Sequence, residues 1–235
     1  MSYLGFIKTI SNDYLSRFDN PQVLEIGIEW GQSTLPLIYN LSLQGPFTYV
    51  GVDILIRPTV VEQLGQFRDV YINDKIPSTG KAVYLFEENS LQWLEAVDNL
   101  GITFDTVFID GDHNYHTVTK ELDMIQTFLH EKSIIVCDDY NGRFEFKDFF
   151  YADDKEGYED IEKATKRIYS EKQGVKTAID DFLKENLMWQ GFYVSGFEPI
   201  ILYRRDVWKE LSSENIADGI KLKDMKLNFL PQEKK

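Results

Sequence analysis

Short apolar runs alternate with longer amphipathic segments along most of the chain. The apolar runs have the length of buried β-strands, and they lie at 23–26, 47–53, 82–86, 105–110, 133–138, 190–194 and 198–203. Several intervening segments have helical periodicity; after 105–110, for example, Val118, Leu122, Ile125 and Leu129 fall on one stripe. Strands that alternate with helices predict a doubly wound α/β fold, in which helices cover both faces of a mostly parallel sheet.

The end of this pattern differs from its beginning. The last two strands are separated by only a few residues, so they are antiparallel neighbours, because a parallel pair needs a long crossover. We therefore predict a seven-stranded, mostly parallel sheet with an antiparallel C-terminal hairpin. One domain is expected over 1–205, with an N-terminal helix in 1–20 and a C-terminal extension at 206–235. The aromatic segment at 141–173 is an insertion, either a helical surface element or a cover over an active site.

Composition and charge restrict the classes of partner and the location that are expected for the protein. The chain has 235 residues, a formal net charge of −14 and a pI near 4.7, which disfavours nucleic acid and anionic lipid as partners. The single cysteine, Cys137, lies in an apolar run and is expected in the core. No signal peptide and no apolar run of membrane-spanning length is evident, so a cytoplasmic location is expected. The locally basic segment at 221–235 is expected to be a solvated tail.

The loop after the first predicted strand carries Gly27 and Gly31, which let the backbone bend sharply and approach a ligand closely. Ser33 stands where a hydroxyl can cap the next helix. A pyrophosphate-binding loop has the pattern G-x-G-x-x-G, but here Glu29 and Gln32 replace its second and third glycines. A carboxylate in this loop disfavours a pyrophosphate, whereas it tolerates the positive charge of S-adenosylmethionine.

Polar residues also follow the second and third predicted strands. Asp53 ends the second strand, where an acid suits a bidentate hydrogen bond to ribose hydroxyls, although an ordinary strand-end acid is the alternative. Asn89 follows the third strand, where it would either meet the adenine edge or cap the next helix.

Two stretches resemble the class I S-adenosylmethionine-dependent methyltransferases: E-x-G-x-x-x-G-x-S at 25–33 and Y-V-G-V-D at 49–53. Within that class, D-G-D-H at 110–113 and D-D at 138–139 resemble a narrower group. That group contains the macrocin-type sugar O-methyltransferases and the cephalosporin-hydroxylase-like proteins, similar to methyltransferase family 24. The resemblance covers roughly residues 20–140. The cofactor contacts expected on this basis are Glu25, Gly27, Gly31, Ser33, Asp53, Asn89, Ser90 and Asp110.

Three carboxylates are expected at one edge of the sheet. Asp110 ends the fourth predicted strand and Asp138 and Asp139 end the fifth, so in a parallel sheet they converge and repel one another. A divalent cation resolves that repulsion, and oxygen ligands favour Mg²⁺. The alternative is that these acids cap turns and accept backbone amides. His113 lies where it could deprotonate a substrate hydroxyl. The family resemblance implies that His113 is the general base and that the three acids hold the metal.

The sequence therefore predicts an O-methyltransferase that uses S-adenosylmethionine, with Mg²⁺, on a hydroxyl of a small molecule such as a sugar or a phenol. Three alternatives stay open: a metal-independent methyltransferase, an NAD-linked oxidoreductase, and a non-catalytic cofactor-binding or assembly protein. A homo-oligomer is compatible with the aromatic insertion.

Overall fold

The computed structural model describes residues 3–77, 82–97, 101–153, 162–194, 196–206 and 227–229. The helices are α1 (Tyr3–Thr9), α2 (Thr34–Gln44), α3 (Pro58–Leu64), α4 (Ser90–Ala96), α5 (Tyr115–Ile125) and α6 (Val175–Glu185). The strands are β1 (Gln22–Ile26), β2 (Thr48–Asp53), β3 (Val70–Ile72), β4 (Val83–Glu87), β5 (Phe104–Ile109), β6 (Leu129–Cys137), β7 (Trp189–Val194), β8 (Ile200–Arg204) and β9 (Leu227–Phe229). Short π and 3₁₀ turns continue α1 to Arg17 and α5 to Phe128.

All the strands belong to one sheet, in the order β3-β4-β2-β1-β5-β6-β8-β7-β9. Strands β3, β4, β2, β1, β5 and β6 pair in parallel, whereas β8 pairs antiparallel with both β6 and β7. The predicted doubly wound fold with its antiparallel hairpin is confirmed, and the seven predicted strands are β1, β2, β4, β5, β6, β7 and β8. Two three-residue strands, β3 and β9, extend the sheet to nine strands and lie at its edges.

The sheet separates two hydrophobic layers. Alternate residues of each strand face opposite layers, as with Val23 and Leu24 in β1. One layer packs against α1, α2 and α3, and the other against α4, α5 and α6. Cys137 lies in the second layer and is fully buried, as expected for a core residue. Among the described residues, no helix is long and apolar enough to cross a membrane.

The predicted insertion at 141–173 is only partly described. Its described residues, 141–153 and 162–173, contain a 3₁₀ turn at Tyr151–Asp153 and no α-helix. Of the predicted C-terminal extension, Leu227–Phe229 forms β9 against β7. The remainder of the basic segment at 221–235 lies outside the described residues.

Candidate functional site

The loop between β1 and α2 depends on two glycines and on one residue with a left-handed backbone. Gly27 has φ +91°, and a Cβ on it would lie 2.0 Å from the carbonyl oxygen of Asp110. Gly31 has φ +74°, and Glu29 between them has φ +47°. The loop therefore passes so close to the end of β5 that only glycine fits at position 27.

The buried carboxylate of Glu25 stabilises this loop through hydrogen bonds. Its carboxylate accepts hydrogen bonds from the hydroxyls of Ser33, Thr34 and Tyr49, the Thr34 bond measuring 2.8 Å. Complete burial raises the pKa of Glu25, and the three hydroxyls act against that rise. Glu25 was predicted to contact the cofactor, but the structure places it in the interior, where it fixes the start of α2.

Asp53, at the end of β2, organises the loop from the other side. Its Oδ2 accepts from the backbone N–H groups of Ile28 (2.6 Å) and Glu29 (2.8 Å), and its Oδ1 accepts from that of Leu55 (2.9 Å). Asp53 also lines the pocket above β1 and β2. Two lone pairs of Oδ2 are thus engaged, and Oδ1 keeps one for a ligand.

Asn89 caps helix α4. Its side-chain oxygen accepts from the N–H groups of Leu91 (3.0 Å) and Gln92 (3.3 Å). Its amide nitrogen donates to the carbonyl of Lys163 (2.9 Å) and to Oγ1 of Thr165 (3.0 Å). Of the two interpretations of Asn89, the structure shows the helix cap, which leaves no hydrogen-bonding group of this side chain for adenine.

A segment around Thr165 lies over the same pocket. Asp112 binds the hydroxyls of Thr165 and Thr117 and the backbone N–H of Tyr151, and burial raises its pKa. Lys163 adds a 3.1 Å ion pair with Glu87 at the end of β4. Both described parts of the predicted insertion are therefore fastened to the sheet edge beside the pocket.

Two adjoining pockets open at this edge. The first, which we call the cofactor pocket, has an empty volume of about 470 Å³, part of which is open solvent. The second, the acceptor pocket, has an empty volume of about 1030 Å³, also partly open solvent, and extends toward the β7–β8 turn. They share four lining residues, Gly27, Glu29, Asp110 and Tyr151. Groups bound in the two pockets would therefore meet beside Asp110.

Asp110 and Asp138 form a carboxyl pair at this boundary. Burial raises the pKa of both groups, and their mutual repulsion raises that of Asp110 further. They are hydrogen-bonded to each other, while Oδ1 of Asp138 is buried and has no hydrogen-bond partner among the described residues. The pair thus holds an oxygen whose lone pairs are free to bind a proton donor or a cation.

Asp139 follows this pair in the chain, and its carboxylate is bound to other groups. Its backbone has φ +55°, and its Oδ2 lies 3.0 Å from Nδ1 of His113. The backbone N–H groups of Arg143 and Phe144 also bind its carboxylate. The charge of Asp139 still raises the pKa of Asp110 and Asp138, but the described residues contain no cluster of three or more acids, histidines or cysteines suited to a metal.

His113 lines the acceptor pocket and is 9% exposed. Its ring stacks on Phe144, with the ring centroids 4.9 Å apart. Burial lowers its pKa to about 4, so the imidazole is neutral at pH 7. In the tautomer that carries its proton on Nδ1, beside Asp139, the lone pair lies on Nε2, which makes no hydrogen bond among the described residues. This is the arrangement of a base held in place by a carboxylate.

The predicted site residues therefore fall into three sets. The cofactor pocket is lined by Gly27, Asp53, Asn89, Ser90 and Asp110. The acceptor pocket is lined by Ser33, His113 and Asp138, and again by Gly27 and Asp110. Neither pocket is lined by Glu25, Gly31 or Asp139. Thr165 could not be predicted from the sequence, because its contacts with Asn89 and Asp112 cross more than fifty positions of the chain.

Comparison with known proteins agrees with this geometry. A family model described as a methyltransferase domain matches residues 24–140, which hold β1 to β6 and the D-D pair. No curated protein matches the sequence. Residues 24–140 therefore form a methyltransferase domain, which confirms the enzyme class predicted from the sequence.

Solved structures share the fold at low sequence identity. A calicheamicin methyltransferase, CalS11, is 12% identical, with a TM-score of 0.55 over 85% of this chain and 77% of that chain. A candidate O-methyltransferase from Klebsiella pneumoniae is 17% identical, with a TM-score of 0.54 over 86% and 80%. Cofactor-bound Rv0187 from MTB is 16% identical, with a TM-score of 0.51 over 87% and 81%.

Proposed function

We propose that this methyltransferase transfers the methyl group of S-adenosylmethionine to a hydroxyl of a small molecule, with His113 as the general base. The observation that carries the proposal is the His113–Asp139 pair, whose histidine lines a pocket that adjoins the cofactor pocket at Asp110. A neutral imidazole in that place can accept a proton at pH 7.

The cofactor is proposed to bind with its sulfonium near Asp110 and Glu29, where the two pockets meet. Its ribose would then lie beside Asp53, and its adenine beside the start of α4, since Asn89 and Ser90 line only the cofactor pocket. The carboxylates around the boundary favour a positively charged sulfonium over a phosphate.

The reaction is a displacement at the methyl carbon. The acceptor oxygen forms the new O–C bond while the C–S bond breaks, and its electron pair stays on sulfur, which gives neutral S-adenosylhomocysteine. The hydroxyl proton passes to Nε2 of His113, and Asp139 stabilises the imidazolium that results. Holding the oxygen, carbon and sulfur in line supplies much of the remaining acceleration.

The proposal includes Mg²⁺, with the carboxylates of Asp110 and Asp138 as its ligands. The pair offers hard oxygen donors, one of which is buried without a partner, and Mg²⁺ is commonly held by one or two carboxylates together with water and substrate. Bound there, the ion would lower the pKa of the acceptor hydroxyl. Asp139 is left out of this ligand set because its carboxylate orients His113.

A metal-independent methyltransferase is the second candidate. The observation that favours it is the absence of a third carboxyl, histidine or cysteine ligand beside the pair in the described part of the chain. In that case the Asp110–Asp138 pair would bind the acceptor hydroxyl directly, and His113 would remain the base.

The acceptor is proposed to be a neutral or cationic small molecule, for example a sugar or a phenol. Among the described residues that line the acceptor pocket, four are acidic and none is lysine or arginine: Glu29, Asp110, Asp138 and Glu198. Such a lining disfavours nucleic acid and anionic lipid, as the net charge of −14 also does. A cytoplasmic location and a homo-oligomer remain predictions of the sequence.

The test is methyl transfer from isotopically labelled S-adenosylmethionine to a panel of sugars, phenols and amino alcohols, with Mg²⁺ and with a chelator. We expect at least one hydroxyl compound to be labelled by the wild type and not by His113→Gln. Loss of labelling with chelator and in Asp138→Asn would support the metal, and labelling that survives both would support the second candidate. Labelling of a cofactor-binding, well-folded His113→Gln at the wild-type rate would overturn the assignment of the base.

A further inference from the structure

Helix α5 carries a carboxyl group within its apolar stripe. Glu121 is fully buried in the hydrophobic layer that contains Val118, Leu122 and Ile125 of the same helix. Burying a carboxyl group that lacks a full set of hydrogen bonds is unfavourable, and a leucine would fill this stripe without that cost. The contacts of Glu121 therefore indicate what the carboxyl group is for.

The one hydrogen bond that Glu121 makes among the described residues leads to the cofactor pocket. Oε1 accepts the hydroxyl proton of Ser90 at 2.5 Å, and Oε2 is buried with no partner among the described residues. Burial, with a smaller contribution from Asp112, raises the pKa of Glu121 to about 8, although the Ser90 hydrogen bond lowers it. Cys137 on β6 is the other titratable group close enough to interact with it. Oε1 can accept from Ser90 in either protonation state, so this bond does not depend on the charge of Glu121.

Ser90 is a polar side chain at this end of the pocket that keeps a free hydrogen-bonding capacity. Asn89 beside it uses its oxygen for the α4 cap and both amide hydrogens for Lys163 and Thr165. Asp112 across the pocket is held by Thr165 and other donors. Ser90 has one hydroxyl hydrogen, which goes to Glu121, so its oxygen can face a ligand only as an acceptor.

We propose that Glu121 is a positioning residue that orients the Ser90 hydroxyl, so that the Ser90 oxygen accepts a hydrogen bond from the 6-amino group of the cofactor's adenine. This inference rests on the proposed placement of adenine beside α4. The 6-amino group is a donor, whereas the 6-oxo group of hypoxanthine is an acceptor that the Ser90 oxygen repels. Glu121 thereby makes the pocket selective for adenine over hypoxanthine without touching the ligand.

The test compares two ligands, S-adenosylhomocysteine and S-inosylhomocysteine, by calorimetric titration. The variants are Glu121→Leu, which lets the Ser90 hydroxyl rotate; Glu121→Gln, which keeps a carbonyl acceptor; and Ser90→Ala, which removes the oxygen. Asp123→Asn is the matched control, because it removes an exposed carboxyl group from the same helix. The readout is the ratio of the two dissociation constants, which a general loss of stability would not change.

We expect the wild type, Glu121→Gln and Asp123→Asn to prefer S-adenosylhomocysteine by about tenfold or more, the effect of one lost polar contact of about 1.4 kcal/mol. We expect Glu121→Leu and Ser90→Ala to lower that preference to about threefold or less. If Glu121→Leu bound S-adenosylhomocysteine and kept the wild-type ratio of the two dissociation constants, the role of Glu121 would be overturned. The placement of the cofactor would then still stand. If the folded wild type bound neither ligand, the placement of the cofactor itself would be wrong, which is a separate result.

Discussion

The cofactor pocket and the acceptor pocket adjoin, but they differ in how completely their polar groups are hydrogen-bonded within the protein. In the cofactor pocket, Asp53 and Asn89 are each held by at least three protein contacts. In the acceptor pocket, the Asp138 carboxylate keeps a buried oxygen with no partner among the described residues, and His113 keeps Nε2. Groups that define the shape of a site are thus fixed in advance, while groups that exchange a proton or bind a cation stay available.

This contrast predicts that the largest effect on turnover comes from the acceptor side. His113→Gln is expected to lower kcat by about 10²–10⁴ because the proton acceptor is lost. Affinity for S-adenosylhomocysteine is expected to change less than about threefold, since His113 does not line the cofactor pocket. Steady-state kinetics and calorimetry on the same preparation check both numbers. Equal losses of affinity and kcat would show that His113 shapes the cofactor pocket, and the contrast would be wrong.

The next largest effect is expected at Gly27, which lines both pockets. Gly27→Ala places a Cβ 2.0 Å from a backbone carbonyl oxygen at φ +91°, so the loop must shift or unfold. We expect a loss of about 3 kcal/mol or more in the free energy of unfolding. Gly101→Ala is the matched control, because Gly101 has φ +65° and no atom within 4 Å of the added Cβ. Gly101→Ala should lower the free energy of unfolding by only about 1–2 kcal/mol, the cost of a left-handed backbone at a residue other than glycine. Equal losses in urea denaturation would contradict the close packing of the loop.

The pH dependence of stability sharpens the comparison at Glu121, whose partner Ser90 lines the cofactor pocket. Burial raises the pKa of Glu121 to about 8, so between about pH 5 and 8 the folded state holds a proton that the unfolded state has lost. Wild-type stability should therefore fall as pH rises through this window, by up to about 1.4 kcal/mol per pH unit from this group. Glu121→Gln cannot release the proton, so its stability relative to the wild type should increase with pH. Parallel denaturation curves at pH 5.5 and 7.5 would show that Glu121 is not protonated in the folded state.

The smallest effect is expected from the segment over the cofactor pocket. Thr165→Val keeps the shape of the side chain but removes the hydroxyl that binds Asn89 and Asp112. Each hydrogen bond lost contributes about 0.5–1.5 kcal/mol. Because Thr165 acts on the cofactor only through the segment, part of that loss reaches the ligand, and affinity for S-adenosylhomocysteine should weaken by about two- to tenfold. Hydrogen exchange at 162–167 should rise in parallel. Unchanged exchange and affinity would mean that these contacts do not hold the segment in place.

The sequence predicted the fold better than the site, for a physical reason. Apolar runs such as 133–138 mark buried strands because burial depends on local composition, whereas Val70–Ile72 is short and largely exposed and carries too little of that signal. The resemblance of its motif predicts Glu25 as a cofactor contact, and a place at a strand end predicts Asp139 as a metal ligand. Their side chains turn instead toward Tyr49 and His113, which are distant in sequence and meet them only after folding.

Glu121 illustrates a signal that the sequence did contain. Val118, Leu122 and Ile125 define the buried stripe of α5, and Glu121 lies on that stripe, three positions after Val118. A carboxyl group inside a helical apolar stripe indicates a buried polar contact. Its partner, Ser90, could not be named without the packing of α5 against α4.

The central claim is that the pocket bounded by Gly27, Asp53 and Ser90 binds S-adenosylmethionine. Calorimetric titration with S-adenosylhomocysteine, on the wild type and on Asp53→Ala, tests it most directly. We predict one site per chain in the wild type and an affinity at least about tenfold weaker in Asp53→Ala, because the loop amides of Ile28 and Glu29 lose their acceptor. No heat of binding to the folded wild type, or equal affinity in Asp53→Ala, would contradict the account.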